Sequence, residues 1–162
     1  MSLFCKNKKK EGMILVVTSV VVANNFIRRA ILEEQSLTPL KLQKLIYFLF
    51  KEYLQTNGRE LFGERFETWK HGPVVPSVYY EFMSFGKGNI TKFAKDSQNH
   101  VLVVKEEGAF KEAFDKVWRK YGFFTGEELS DKTHTPGSAW DKAVKKEAPY
   151  LDIEDIHDEN DL

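Results

Sequence analysis

One segment, residues 38–58, constrains the fold of this chain more than any other. Thr38 is a favourable helix N-cap, and Pro39 occupies the first helical position, where its missing N–H leaves no hydrogen bond unmade. Gly58 supplies a C-terminal stop. Between them apolar side chains recur at helical spacing and cover more than one face. They are Leu42, Leu45, Ile46, Tyr47, Phe48, Leu49, Phe50, Tyr53 and Leu54. We therefore predict a central helix.

The polar positions of that helix complete its description. Lys41, Lys44 and Lys51 interrupt the apolar pattern, and we predict that they mark a narrow solvent-exposed stripe. Shorter helices are predicted around the central one. They span about residues 18–34, 76–85, 110–121, 125–131 and 138–148.

Two short extended segments complete the predicted architecture. Residues 66–70 are extended before a Gly-Pro break, and residues 101–104 are a β-prone run that is a candidate to pair with the segment around Trp69. The predicted fold class is mainly α. It is a compact single-domain helical fold of about five to six helices with a small β-hairpin-like element.

Charge divides the chain into unequal parts. The sequence has 24 Lys and Arg against 24 Asp and Glu, and this balance argues against a general phosphate-backbone binder. We predict a basic N-terminal extension and lead-in over residues 1–17, a folded domain over 18–148, and an acidic C-terminal tail over 149–162. Both charged ends are expected to be solvated.

An apolar run over residues 13–23 follows the basic start. It is too short to span a bilayer, which takes about 20 apolar residues. It could be a secretory signal or the buried start of a first helix capped by Thr18 or Ser19, and we favour the helix because Thr18 and Ser19 interrupt the run. Residues 1–12 are either a native extension or foreign to the protein, with Met13 as an alternative start.

The sequence gives little support for metal binding or for acid–base catalysis. Cys5 is the only cysteine, so no internal disulfide or thiolate zinc site can form, and a cytoplasmic location fits. His71 and His134 could converge with Glu67 or Asp131, although structural roles are the favoured interpretation. Neither histidine lies in a metal-binding pattern, and no nucleophile elbow or phosphate loop is present. We predict no catalytic residue, no metal and no cofactor.

The segment from Trp69 to Val74 predicts a rigid corner. Gly72 can adopt backbone angles closed to other residues, and Pro73 fixes the chain direction after it. Lys70 and His71 would then lie at the surface. The corner is either a turn that defines the fold or a contact surface for a partner.

Three motifs follow one another along the chain: the helix motif from Thr38 to Phe48, a second from Trp69 to Pro76, and a third over residues 129–140. Together they resemble the Panacea domain family, which includes SocA-like antitoxins and GepA-type phage-associated proteins. The likeness covers roughly residues 18–146. Its motif positions here are Lys41, Gln43, Trp69, Lys70, His71, Gly72, Pro73, Thr133, His134 and Trp140. We interpret these as partner-binding or fold-defining residues.

The resemblance implies an antitoxin from a phage or mobile-element setting. Its partner would be a toxin protein encoded by an adjacent gene, neutralised by direct binding. One type in the family is a proteolytic adaptor that delivers its toxin to ClpXP, so a ClpX-type unfoldase is a second candidate partner. No membrane partner is expected and nucleic acid is disfavoured. The alternatives are a nucleic-acid-binding regulator and, less favoured, a histidine-dependent enzyme.

Overall fold

A computed structural model of the chain describes residues 3–4 and 16–161. Within them the chain forms seven α-helices and two two-stranded sheets. The helices are α1 (Ser19–Leu32), α2 (Pro39–Asn57), α3 (Pro76–Phe82), α4 (Gly108–Tyr121), α5 (Gly126–Thr133), α6 (Ala139–Lys145) and α7 (Ile153–His157). The strands are β1 (Leu3–Phe4), β2 (Glu67–Trp69), β3 (Gly72–Val74) and β4 (Val101–Leu102). A 3₁₀ turn over Met83–Phe85 continues α3.

Helix α2 is the centre of the domain, as its apolar coverage predicts. It packs against α1, α3, α4, α5, α7 and β3, and residues 41–51 are all buried. The Thr38 side chain accepts a hydrogen bond from the N–H of Lys41, at 3.2 Å. Gly58 ends the helix in the left-handed conformation, with φ of 65°. The predicted mainly α, single-domain fold with a small hairpin is confirmed.

The prediction that the lysines of α2 face solvent is wrong. Lys41, Lys44 and Lys51 are 3%, 0% and 3% exposed. Because other elements surround α2 on all sides, these amines lie against packed chain and find oxygen partners there. The Nζ atoms of Lys41 and Lys44 donate to the carbonyls of Gly122 and Pro73, at 2.6 and 2.7 Å.

The predicted helix starts are confirmed where side chains cap them. Thr18 caps α1, Ser138 caps α6, and Thr125 forms a capping box with Glu128 at the start of α5. Between the helices aromatic rings fill the core. For example, the rings of Phe48 and Tyr121 stack with centroids 4.2 Å apart. The high aromatic content therefore serves packing between α2 and the helices around it.

The small hairpin is formed by β2 and β3, in antiparallel register with Trp69 opposite Gly72. The candidate pairing of residues 101–104 with this segment is wrong. The outer side of β2 is already occupied, because the N–H of Thr68 donates to the carbonyl of Pro149 at 2.9 Å. Strand β4 instead pairs in parallel with β1, and the Asn24 side chain donates to the carbonyl of Leu102 at 2.9 Å.

The expectation of a solvated acidic C-terminal segment is also wrong. Leu151 and Ile156 are 2% and 0% exposed, and α7 packs on α2 and α6. The apolar residues alternate with the acidic ones, so one side of the segment is buried while most carboxylates remain outside. The predicted boundary between the folded domain and the C-terminal segment, at residue 148, stays a prediction.

The N-terminal predictions are tested only in part. Most of the basic extension, including Cys5, lies outside the described residues. Of the apolar run, Val22 and Ala23 are fully buried in α1. Among the described residues, no helix combines the length and apolar character needed to cross a membrane.

Candidate partner-binding site

The motif residues of the second and third motifs come together at one corner of the domain. This corner comprises the β2–β3 hairpin, the first turns of α2, and the helices α5 and α6. Gln43 also points into it. Lys41 does not reach the hairpin, since its amine is held at the Gly122 carbonyl between α4 and α5.

Side chains of α2 hold the outer edge of β3. The Gln43 amide makes a pair of hydrogen bonds to Val75, accepting from its N–H and donating to its carbonyl, both at 3.0 Å. The Lys44 amine donates to the Pro73 carbonyl at 2.7 Å. The position of the hairpin is thus set by hydrogen bonds from a rigid helix rather than by loop packing alone.

Gly72 is required where hairpin, α2 and α5 meet. Its φ of 109° is closed to most side chains, and a Cβ placed there would lie 2.5 Å from Thr133 Oγ1 and 2.9 Å from Lys44 Cε. Thr133 is held in place, because its hydroxyl donates to the Ser130 carbonyl at 2.6 Å. The Ser130 hydroxyl in turn donates to the His71 carbonyl at 2.5 Å.

Trp140 joins α6 to the hairpin. Its indole N–H donates to the Trp69 carbonyl at 2.7 Å, and its ring stacks on His134 with centroids 4.0 Å apart. Trp69 packs edge-on against Tyr79, with a centroid distance of 4.7 Å, and its indole N–H donates to the Glu67 carboxylate at 2.6 Å. These contacts connect α6, the hairpin and α3, so the surface of the corner is ordered before any partner binds.

Burial lowers the pKa of the basic groups behind this surface. Desolvation lowers the pKa of Lys44 to about 7, since its partner is a carbonyl and not a carboxylate. Burial is also the largest cause lowering the pKa of His134; positive charge on Lys44 and His71 adds to it, while Asp131 opposes it. His134 is accordingly neutral at pH 7, and its ring serves as a stacking partner for Trp140.

An apolar groove runs along the front of the corner. It has a volume of about 240 Å³. Its walls are Pro39, Leu40, Gln43, Trp69, Lys70, His71, Val74, Val78, Tyr79, Phe82 and Gly86. An adjoining polar part shares Leu40, His71 and Gly86 with it and adds, among others, Lys87, Glu127, Asp131 and His134. We call the first part the corner groove. The predicted surface positions of Lys70 and His71 are confirmed, as both are exposed.

The arrangement offers little acid–base chemistry. His71 and His134 do line one polar depression, as the enzyme hypothesis requires. In the described part of the chain, however, neither imidazole is hydrogen-bonded to a carboxylate or a hydroxyl that would orient it as a base. The residues that the structure describes also contain no group of three or more His, Cys, Asp or Glu placed to hold a metal ion.

Sequence reasoning missed Glu159, which supports α6 from behind. One carboxylate oxygen accepts from the Tyr47 hydroxyl at 2.9 Å and from the Ala139 N–H at 2.8 Å. The other oxygen lies 3.2 Å from the Lys51 amine. Burial, followed by the charge of Glu159, raises the pKa of Tyr47 well above its usual value. Nothing in the run of acidic residues distinguishes Glu159 from its neighbours.

Fold and site together define a small helical domain with one preorganised surface corner. The family described as antitoxin SocA-like, Panacea domain, matches residues 42–141. Antitoxin SocA from Caulobacter vibrioides (strain NA1000 / CB15N) is 33% identical over 130 residues, which cover 77% of this chain and 69% of that protein. No solved structure gives a significant match. The chain belongs to the SocA-like, Panacea domain family of antitoxins, and this confirms the resemblance found in its motifs.

Proposed function

We propose that this chain is an antitoxin that neutralises a cognate toxin by direct protein–protein binding. Its family membership and the named relative support an antitoxin role. The observation that carries the binding mechanism is the convergence of the motif residues at one corner, where Lys70 and His71 are exposed beside an apolar groove. The toxin is proposed to be the product of an adjacent gene, and the complex to form in the cytoplasm.

The rigidity of the corner suits it to binding a protein partner. Gln43 and Lys44 hold the hairpin from behind, and Trp140 ties it to α6. A surface ordered before its partner arrives loses little conformational entropy when a complex forms. The contact surface therefore needs no large rearrangement to be competent.

Neutralisation can follow from the complex in two ways. The chain can mask the toxin by holding it, or it can act as a proteolytic adaptor that presents the bound toxin to a ClpXP-type protease. We propose that both share the corner as the toxin-binding surface. An adaptor additionally needs a separate contact to a ClpX-type unfoldase.

Co-expression with the adjacent gene tests the central proposal. The chain should restore growth to cells that produce the toxin, and the two proteins should co-purify. Substitutions of exposed corner residues that abolish rescue should also abolish the complex while circular dichroism stays unchanged. Rescue without a complex contradicts the proposal. Rescue lost in His71→Ala with His134→Ala, in a protein that still binds, indicates enzymatic detoxification instead.

Toxin lifetime separates masking from adaptor action. After translation is stopped, an adaptor shortens the half-life of the toxin in cells that contain ClpX, and the half-life recovers in cells lacking it. A masking antitoxin leaves the half-life equal in both strains, or lengthens it. The matched control is a corner variant that does not bind the toxin.

A further inference from the structure

We propose that the corner groove receives one apolar side chain of the toxin, presented by a segment that carries a carboxylate next to it. The inference rests on the proposed function and names what the groove recognises. The apolar side chain enters between α2 and α3, and the carboxylate pairs with Lys70 at the rim.

The shape and lining of the groove set the size of its occupant. Its volume of about 240 Å³ is below the roughly 300–1,000 Å³ typical of pockets for small-molecule ligands. Leu40 and Val78 contribute apolar surface from α2 and α3, and the rings of Trp69 and Tyr79 form one wall. Aromatic walls around an apolar floor are typical of pockets that receive an anchoring side chain.

Recognition by strand addition is closed here. A peptide that extends a sheet bonds to free N–H and C=O groups of an edge strand. Along β3 and the residue that follows it those groups are already used, because Lys44 bonds the Pro73 carbonyl and Gln43 bonds both polar groups of Val75. The groove must therefore recognise its partner through side chains.

Charge at the rim fixes the second half of the proposal. Lys70 is exposed, and within residues 16–161 it forms no ion pair or hydrogen bond. The lining of the corner groove includes no carboxylate, whereas the adjoining polar part has two, Glu127 and Asp131, beside one lysine, Lys87. An acidic residue of the partner is thus favoured at the Lys70 end over the other end, where carboxylates outnumber the lysine, and this orients the bound segment.

Affinity measurements with matched variants test the inference. The probe is the toxin from the adjacent gene, titrated by calorimetry into the full-length chain and its variants at two salt concentrations. Lys70→Glu and Tyr79→Ala should each weaken binding about tenfold or more, whereas Lys70→Arg should retain affinity. The loss in Lys70→Glu should shrink at high salt. The matched controls, Lys95→Glu and Phe123→Ala, alter an exposed lysine and an exposed aromatic residue outside the groove and should change affinity less than about twofold.

The outcomes separate the inference from the function beneath it. A complex with the wild-type chain that is insensitive to Lys70→Glu and Tyr79→Ala overturns the inference and leaves the antitoxin proposal standing. Absence of any complex overturns both. An acidic-to-lysine substitution in the toxin that restores binding to Lys70→Glu supports the predicted charge pair. Displacement of the toxin by a single-stranded DNA 12-mer, lost in Lys70→Glu, indicates a nucleic-acid groove and contradicts the proposal.

Discussion

The two ends of α2 bury lysines in opposite ways. Near its start, Lys44 is fully buried and its amine meets a neutral carbonyl, that of Pro73. Two turns later Lys51 is almost as buried, and its amine meets the carboxylate of Glu159 at 3.2 Å. At the first end the Lys44 amine lies against the hairpin backbone without a counter-charge. At the second the carboxylate of Glu159 compensates the charge of Lys51.

The difference teaches what each end is suited to. A buried ion pair with further hydrogen bonds is strongly destabilised when one partner is removed, so the Glu159 end acts as a structural fastening. A buried amine without a counter-charge loses its proton easily, so the Lys44 end carries a cost that depends on pH. Lys44, whose buried charge has no counter-charge, lies under the proposed binding corner.

The largest effect is expected from Glu159→Ala. It leaves the Lys51 charge buried without a counter-ion and removes the acceptor for Tyr47 and Ala139. The free energy of unfolding should fall by about 3–5 kcal/mol, measured by urea denaturation. Asp158→Ala, an exposed acid next to it, is the control and should be nearly neutral. Equal effects of the two substitutions would show that Glu159 is no fastening.

Gly72→Ala should cost somewhat less, about 2–4 kcal/mol. The reason combines the positive φ of 109° with the close approach of Thr133 and Lys44. Gly137→Ala is the matched control, since its φ of 83° is also positive but nothing lies within 4 Å of the added Cβ. Thermal unfolding should rank Gly72→Ala clearly below Gly137→Ala. Identical melting temperatures would leave backbone strain as the whole explanation.

Lys44→Met should change the pH dependence of stability. The folded pKa of about 7 lies below the usual pKa of 10.5 for a lysine side chain in water, so between these values the unfolded state binds the extra proton. Stability of the wild-type protein therefore rises with pH across this range, and the penalty is complete below about pH 7. Between pH 7 and 9 this group should raise the stability of the wild-type protein by about 2 kcal/mol.

Urea denaturation at pH 7, 8 and 9 measures that slope. The slope should flatten in Lys44→Met and persist in Lys70→Met, in which an exposed lysine is changed. Burial also lowers the pKa of His134 from its usual 6.5. Its effect on the pH dependence of stability therefore lies mainly below pH 6.5, outside the measured range. A wild-type slope retained in Lys44→Met would mean that Lys44 stays charged with a near-normal pKa.

The smallest effect is expected where an ion pair is open to solvent. Lys105 pairs with Glu107 at 3.1 Å, and both side chains are more than half exposed. Lys105→Ala should change the free energy of unfolding by less than about 0.5 kcal/mol. A loss comparable to that in Glu159→Ala would show that burial is not what makes the pair of Lys51 and Glu159 costly to break.

The sequence predicts the local parts of this fold well. Thr38, Gly58 and the capping box at Thr125 act on neighbouring residues, so short motifs suffice to locate the helix ends. The burial of the lysines could not be predicted in the same way. Tyr47 and Glu159 are 112 positions apart, and no local pattern indicates which acidic residue of the C-terminal segment turns inward.

The candidate site shows the same division. Gly72 and Pro73 predict a rigid corner from chain geometry alone, and the structure places them in one. The braces behind it are tertiary. The sequence pattern predicts Lys44 at the surface. Ser130 lies within the third motif, but nothing in that motif indicates that its hydroxyl holds the His71 carbonyl. Identifying them requires knowing which helix packs behind the hairpin.

The bonding around β2 and β3 has one more consequence. Residues 149–151 cover the outer side of β2, and α2 side chains cover that of β3, so the ribbon offers no unpaired strand to a second copy. Open edges are the usual templates for strand-by-strand polymerisation. A binding domain is often present in excess of its target. Here the hairpin gives unbound copies of the chain no open strand edge at which to associate.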